Sequence, residues 1–340
     1  MQHERAPRPL PLFLEMVRRL GESDPETARK ALKGLAVYEQ AERVSGHRKR
    51  PIAAQHKGVC LREIGGSGAA VILVPSLINP PHILDLDDDV SLGKAIAGMG
   101  RRALLVDWGD ARKRSDLNVG DHVEQLLVPL LRGLGEPAAL VGYCLGGTMA
   151  IAAANLTQVE RVATLAAPWH FSRYPEASRT SLQDLWRGSA EAAARFQLLP
   201  MEVLQAAFWS LDPTRTASKF AKFADADPAG DEARRFVTLE DWANDGEPLP
   251  LPAARELMED FFGADLPGRR QWCVGGQTMT DELSVPVLHC TATSDRITPG
   301  ETAASGERRA IAAGHVGMIV GSARGALHEA LSHFLDPGSS

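Results

Sequence analysis

Cysteine is scarce in this 340-residue chain, and its four copies, Cys60, Cys144, Cys273 and Cys290, stand far apart. There is no C-x-x-C pair and no histidine at ligand spacing. A disulfide framework and a zinc or other metal site are therefore not expected, and the thiols should be reduced. Long apolar runs are also missing, since no stretch approaches the roughly 18 to 20 residues that span a bilayer. The opening MQHERAPRPLPLFLEMVRR is too broken by proline and charge to serve as a secretory signal. Positive charge is not in excess: a net charge of -6 gives no electrostatic reason to bind nucleic acid. Internal repeats and low-complexity stretches do not stand out. A soluble chain working in the cytoplasm is the expectation.

What is present is a clear change of texture along the chain. Residues 12 to 45 read as two helices broken near Gly21 to Pro25, with Asp24 capping the second and Pro25 in its first turn. The basic cluster HRKRP, at 47 to 51, reads as a solvated linker. From residue 59 strands alternate with helices. VCLREI is an edge-strand candidate, and AVILVPS, RALLVDW, AALVGY and VATLAAP are short runs rich in Val, Leu and Ile, the pattern of strands buried on both faces. SLGKAIAGMG reads as a helix stopped at Gly100, and VGDHVEQLLVPLLRGLG as a helix kinked at Pro129. The alternation predicts an α/β fold with a mostly parallel central sheet.

The rhythm stops after Pro168 and resumes with VPVLHCTATSD (285 to 295) and ERRAIAAG (307 to 314). The expected organisation is an N-terminal helical extension (1–58), a core (59–168 and 281–340) and an inserted helical cap (169–280). Five of the six tryptophans, Trp169, Trp186, Trp209, Trp242 and Trp272, fall in the cap stretch. Packing is the expected role for most of them.

Between a buried strand and a helix of small residues lies Gly142-Tyr143-Cys144-Leu145-Gly146-Gly147. This is the pattern of a nucleophile elbow with cysteine in the serine position. The strand-to-helix turn lifts the thiol above the sheet, and the glycines are needed because a Cβ would collide there. The helix N-terminus favours a thiolate and an oxyanion. An elbow of this kind takes an acid and then a histidine from later in the chain. Asp295, just after a strand, and His315, in GHVGMIVG, arrive in that order. Oxyanion donors are expected from the backbone N–H of Leu145 and from Leu77 or Ile78 in the loop PSLINPPHILDL, with Asn79 orienting the loop. Asn79, Trp169 and His170 are substrate-contact candidates. His289 reads as core or pocket lining, and His82 and His122 have no partner that the sequence identifies.

The elbow and its acid and histidine make the α/β-hydrolase fold the specific expectation. The segments VILVPSLINPPHILDL, LLVDWGD, LVGYCLGGTMA, LHCTATSDRITP and GHVGMIVG further resemble the catalytic domain of polyhydroxyalkanoate synthases, especially the short class III type. The resemblance implies a 3-hydroxyacyl-coenzyme A substrate, coenzyme A entering only as part of it and no resident cofactor. It implies a growing polyester held as a thioester on Cys144, His315 activating the thiol, and Asp295 assisting. It also leaves room for a homodimer or a separate synthase subunit, and for association with polyester granules. The motif G-Y-C-L-G-G is similar to dienelactone hydrolases as well, so an ester, lactone or thioester hydrolase is the alternative. A non-catalytic granule-associated scaffold is the third reading.

Overall fold

The computed structural model describes residues 6–43, 50–210 and 213–336. The chain divides into two compact units, one formed by residues 1–46 with 200–246 and the other by 47–199 with 247–340. These units are drawn differently from the linear division into extension, core and cap.

The larger unit is built on an eight-stranded sheet. Its strands are β1 (Ile52–His56), β2 (Val59–Gly65), β3 (Ala70–Val74), β4 (Arg102–Asp107), β5 (Ala139–Tyr143), β6 (Val162–Leu165), β7 (Val287–Ala292) and β8 (Glu307–Ile311). They lie in the order β1-β2-β4-β3-β5-β6-β7-β8. The two pairings β1–β2 and β2–β4 are antiparallel, and the rest are parallel. Every residue of β3, β5 and β6 is buried, as strands covered by helices on both faces must be.

Three details differ from the sequence expectation. VCLREI is not the edge, because β1 pairs outside it through a hairpin whose two loop residues, Lys57 and Gly58, both have positive φ. That is the turn whose twist suits a two-residue hairpin. The helix with Pro129 adjusts upstream: His122–Leu127 is a π-helical segment, and Val128–Arg132 continues as α-helix. A missing proline N–H is one of the places where such local widening is tolerated. Of the basic cluster, residues 47–49 lie outside the described residues, and Arg50 is no solvated linker residue. Its guanidinium donates to both carboxylate oxygens of Asp85, at 2.6 and 2.9 Å.

The segment after β6 begins with helix Glu176–Phe196, which is tied to the π-helical stretch Glu256–Gly263. Arg179 donates to the Phe262 carbonyl and Trp186 Nε1 to Glu259. The chain departs through Leu198–Leu199 and returns through Leu249–Pro250, and these two short strands pair antiparallel.

The smaller unit is helical. Helix Leu10–Ser23 runs to Asp24, whose side chain accepts from Thr27 N and caps helix Pro25–Gln40. These pack with helices Met201–Ser210, Pro213–Phe223 and Asp231–Asn244. Phe13, Tyr38 and Phe220 form its centre, with Phe236 packed against them and with Phe13 and Phe220 edge to face at 4.8 Å. Such ring pairs add to the burial of their area.

Candidate active site

Strand order reverses between β3 and β5: the chain passes from β3 to β4 on one side, then crosses back to β5 on the other. The loops at the carboxyl ends of such neighbours diverge and leave a crevice. Cys144 follows β5 at that point, and the loop beginning Pro75-Ser76-Leu77 follows β3.

The backbone at Cys144 is held in a conformation that a non-glycine residue rarely adopts, with φ +54° and ψ -130°. Two bonds fix the turn: Cys144 N donates to Leu165 O at 2.9 Å, and Gly147 N donates to Cys144 O at 2.9 Å. A Cβ on Gly142 would lie 2.5 Å from Gly146 O, and one on Gly146 only 2.1 Å from Val74 O. The glycines are there because backbone meets backbone. That same close approach sets the elbow against the end of β3. Of the four cysteines, none in a disulfide, Cys60 and Cys290 are buried and Cys273 is exposed, whereas Cys144 is half-buried. Burial pushes the Cys290 thiol up to about 12.

Asp295 and His315 are delivered by β7 and β8. Pairing of these strands continues past their ends, with Thr293 N donating to Ile311 O and Ser294 N to Ala313 O, both at 2.9 Å. The next residues of each strand then come side by side, and His315 Nδ1 lies 2.7 Å from Asp295 Oδ2. The other oxygen, Oδ1, accepts from Ile297 N and Thr298 N, both at 2.8 Å. Burial works against a charged His315, but the Asp295 carboxylate and Cys144, each through charge and a side-chain hydrogen bond, outweigh it and hold the imidazole up at about 10.

The other sequence candidates are placed as follows. Leu145 opens helix Leu145–Leu156, so its N–H sits at a helical position with no acceptor inside the helix. Ile78 N donates to Ser76 Oγ at 3.3 Å, which engages that donor and leaves Leu77 the better of the two loop candidates. Asn79 is half-buried at the end of this turn. Trp169 is fully buried and packs edge to face on Trp272 at 6.0 Å. His170 Nε2 stands 3.4 Å from Asp281 Oδ2, and Asp281 also accepts from Ser305 N. The backbone N–H groups of Trp169 and His170 both donate to Thr302 O. His289 is a core residue: it pairs through Nδ1 with Thr164 and through Nε2 with the Ser305 carbonyl.

His122, which the sequence leaves without a partner, donates from Nδ1 to Asn118 O at 2.6 Å and accepts at Nε2 from Arg114 at 2.8 Å. Burial, with the Arg114 charge beside it, pushes this imidazole down to about 3 and keeps it neutral.

Three residues near the site were missed. Trp108 Nε1 donates to Pro75 O at 3.1 Å and so holds the loop after β3. Tyr174 is buried and lies within electrostatic reach of Cys144 and Asp295. Tyr143, inside the elbow motif itself, reaches His315. The indole end of LLVDW and the Tyr of G-Y-C-L were visible signals, whereas their partners, distant in sequence, were not.

Among the described residues no cluster of His, Cys, Asp or Glu could hold a metal ion, and no helix is long and apolar enough to cross a membrane.

A family model described as the alpha/beta hydrolase family matches residues 76–330, three quarters of the chain. The chain belongs to the α/β hydrolase family. As an α/β hydrolase it has solved structural neighbours. A putative non-heme bromoperoxidase, BpoC, from Mycobacterium tuberculosis H37Rv superposes with a TM-score of 0.54 at 14% identity, covering 87% of this chain and 100% of that one. An alpha/beta hydrolase fold protein from Nakamurella multipartita gives 0.50 at 16% identity, covering 85% and 99%. At these identities the likeness is one of fold. In sequence, this α/β hydrolase is similar to poly(3-hydroxyalkanoate) polymerase subunits PhaC. That of Haloarcula marismortui is 25% identical over 271 residues, 74% of this chain and 57% of its own length. That of Synechocystis sp. is 25% identical over 293 residues, 78% of this chain and 77% of its own. The chain thus spans little more than half the length of the haloarchaeal relative.

Proposed function

We propose that the protein is a cysteine acyltransferase of the polyhydroxyalkanoate synthase kind, acting on 3-hydroxyacyl-coenzyme A through a thioester on Cys144. One observation carries the reading: a strained, half-buried cysteine stands at the switch point of the sheet, in electrostatic contact with a histidine that Asp295 holds at 2.7 Å. Similarity to PhaC polymerase subunits supports the choice of substrate class.

In this mechanism the Cys144 Sγ proton already rests on His315 Nε2 before substrate binds, and the thiolate attacks the thioester carbonyl. The N–H groups of Leu145 and Leu77 receive the oxyanion. Coenzyme A departs as the thiol, taking the proton from His315, and leaves acyl-Cys144. The new thioester is as activated as the old one. His315 then removes the proton from the 3-hydroxyl of a second acyl group, whose oxygen attacks the acyl carbon. An ester forms, and Cys144 leaves as the thiolate beside the reprotonated His315. Asp295 keeps Nδ1–H directed at itself, so that Nε2 faces the thiol. Water competes with the hydroxyl at the second step, and helices Glu176–Phe196 and Glu256–Gly263 are the segments assigned to excluding it. Asn79 is retained as the substrate-contact candidate. Trp169 and His170 are assigned to holding the Thr302 segment.

The test is intact-protein mass spectrometry after mixing with 3-hydroxybutyryl-coenzyme A, with release of free coenzyme A followed in parallel. An adduct on Cys144 that grows by repeated 3-hydroxyacyl units supports the polymerase reading. A single transient adduct with steady release assigns a thioesterase or simple acyltransferase. No adduct and no release removes the proposal.

A further inference from the structure

Tyr143 directly precedes Cys144 and belongs to β5, the strand that fixes the elbow. Its side chain is almost fully buried and meets His315, 172 positions away. The phenol hydroxyl donates to the His315 backbone carbonyl at 3.4 Å. The two rings lie with centroids 5.1 Å apart and planes tilted by 34°, in direct ring contact. One residue on the rigid nucleophile strand therefore touches both the backbone and the ring of the histidine.

An aromatic face attracts a cation whose centre lies within about 6 Å, and more strongly when the pair is out of water. The imidazole becomes such a cation each time Cys144 transfers its proton. From these contacts we propose that Tyr143 is a positioning residue for His315: its ring stabilises the imidazolium of the thiolate–imidazolium pair, and its hydroxyl holds the His315 main chain.

The groups acting on His315 from the other elements are the Asp295 carboxylate and the Cys144 sulfur, with the Tyr174 phenol beside them. Burial, together with those two charges, keeps the Tyr143 phenol protonated, so it acts through its ring and as a donor. The inference rests on the proposed pairing of Cys144 with His315 and requires no particular acyl substrate.

The experiment is the pH titration of the His315 imidazole, followed by NMR on histidine-labelled protein and assigned by the loss of its signal in His315→Gln. Stabilisation of the imidazolium raises the pH at which it gives up its proton, so removing that stabilisation moves the midpoint down. Tyr143→Leu should lower the midpoint by about one pH unit, and Tyr143→Phe, which keeps the ring, should leave it in place. Phenylalanines carrying one, two and three ring fluorines at position 143 hold nearly the same volume while weakening the face. They should lower the midpoint stepwise, and they decide the matter even if the leucine variant does not fold. A midpoint that stays flat across the fluorinated series overturns the proposal, as does a Tyr143→Phe shift as large as that of Tyr143→Leu. If Cys144→Ala leaves the His315 midpoint unchanged, the Cys144–His315 pairing itself fails, which is a different result from a silent Tyr143.

Discussion

Asp295 and His315 meet because two backbone hydrogen bonds carry the β7–β8 pairing beyond both strands, and the 2.7 Å contact between their side chains follows from that register. Asp295 divides its oxygens between two tasks. Oδ2 faces the imidazole, while Oδ1 accepts two backbone N–H groups and shapes its own turn. The residue is thus both turn former and partner of the histidine.

That division separates two variants. Asp295→Asn can keep an oxygen on the Ile297 and Thr298 N–H groups while presenting an amide N–H to His315, which then holds the wrong tautomer. Acylation should fall by about a hundredfold to ten-thousandfold with little change in Tm. Asp295→Ala loses the turn bonds too and should add about 1–3 kcal/mol of destabilisation. Stopped-flow coenzyme A release and thermal melts check the pair, and a fully active Asp295→Asn protein would reduce the residue to a turn former.

Replacement of the nucleophile gives a second contrast. Cys144→Ala should form no acyl adduct, and Cys144→Ser should fold normally but turn over at least about a hundredfold more slowly. The serine hydroxyl cannot form a stable anion beside this imidazole as a thiol can. Adduct mass spectrometry and circular dichroism suffice, and near-normal turnover by Cys144→Ala would place the chemistry elsewhere.

The raised His315 value also makes a prediction about stability. A group whose pKa is higher in the folded chain stabilises it fully below the unfolded value and ceases to do so above the folded one. For His315 the window runs from about 6.5 to about 10. The melting-temperature gap between wild type and His315→Gln should therefore be widest near pH 6 and shrink as pH rises towards 10. A gap that widens over this range would mean that the imidazole is neutral in the resting protein.

Gly146→Ala should be far more damaging than an ordinary glycine-to-alanine change in a helix. Its Cβ would stand 2.1 Å from Val74 O and 2.6 Å from Pro75 O, both backbone atoms of the neighbouring strand end. A cost of about 3 kcal/mol or more, or failure to fold, is expected. Urea unfolding gives the answer.

Trp108→Phe keeps an aromatic ring but removes the donor that holds Pro75 O. If Leu77 supplies an oxyanion N–H, kcat should fall about tenfold while KM changes little. An unchanged kcat would show that the loop needs no such anchor.

The buried strands, and the placement of Cys144, Asp295 and His315 just past strand ends, were legible because each rests on local signals: β-branched runs, glycines around a turn, turn residues after an apolar run. The cap on helix Pro25–Gln40 was equally local, a single Asp-Pro step. β1 escaped because Ile52–His56 is short, largely exposed and without an apolar run. The Lys57-Gly58 hairpin signal beside it was available. What the N-terminal helices bury against was not readable, since Phe13 and Tyr38 meet Phe220 across 207 and 182 positions. The sequence also separates Tyr143 from its histidine, Trp108 from Pro75, and Arg114 and His122 from each other's role. In each case the motif is local and the contact is made only by the folded chain.

The paired strands Leu198–Leu199 and Leu249–Pro250 bring the two ends of a long excursion to one place. A chain that leaves and re-enters at adjacent points can exchange what lies between without breaking the run of the sheet strands. Residues 200–246, however, share their core with residues 1–46. The two stretches therefore form one exchangeable cassette in two pieces, to be grafted, trimmed or inherited together, since either alone would leave the aromatic face of the other in water.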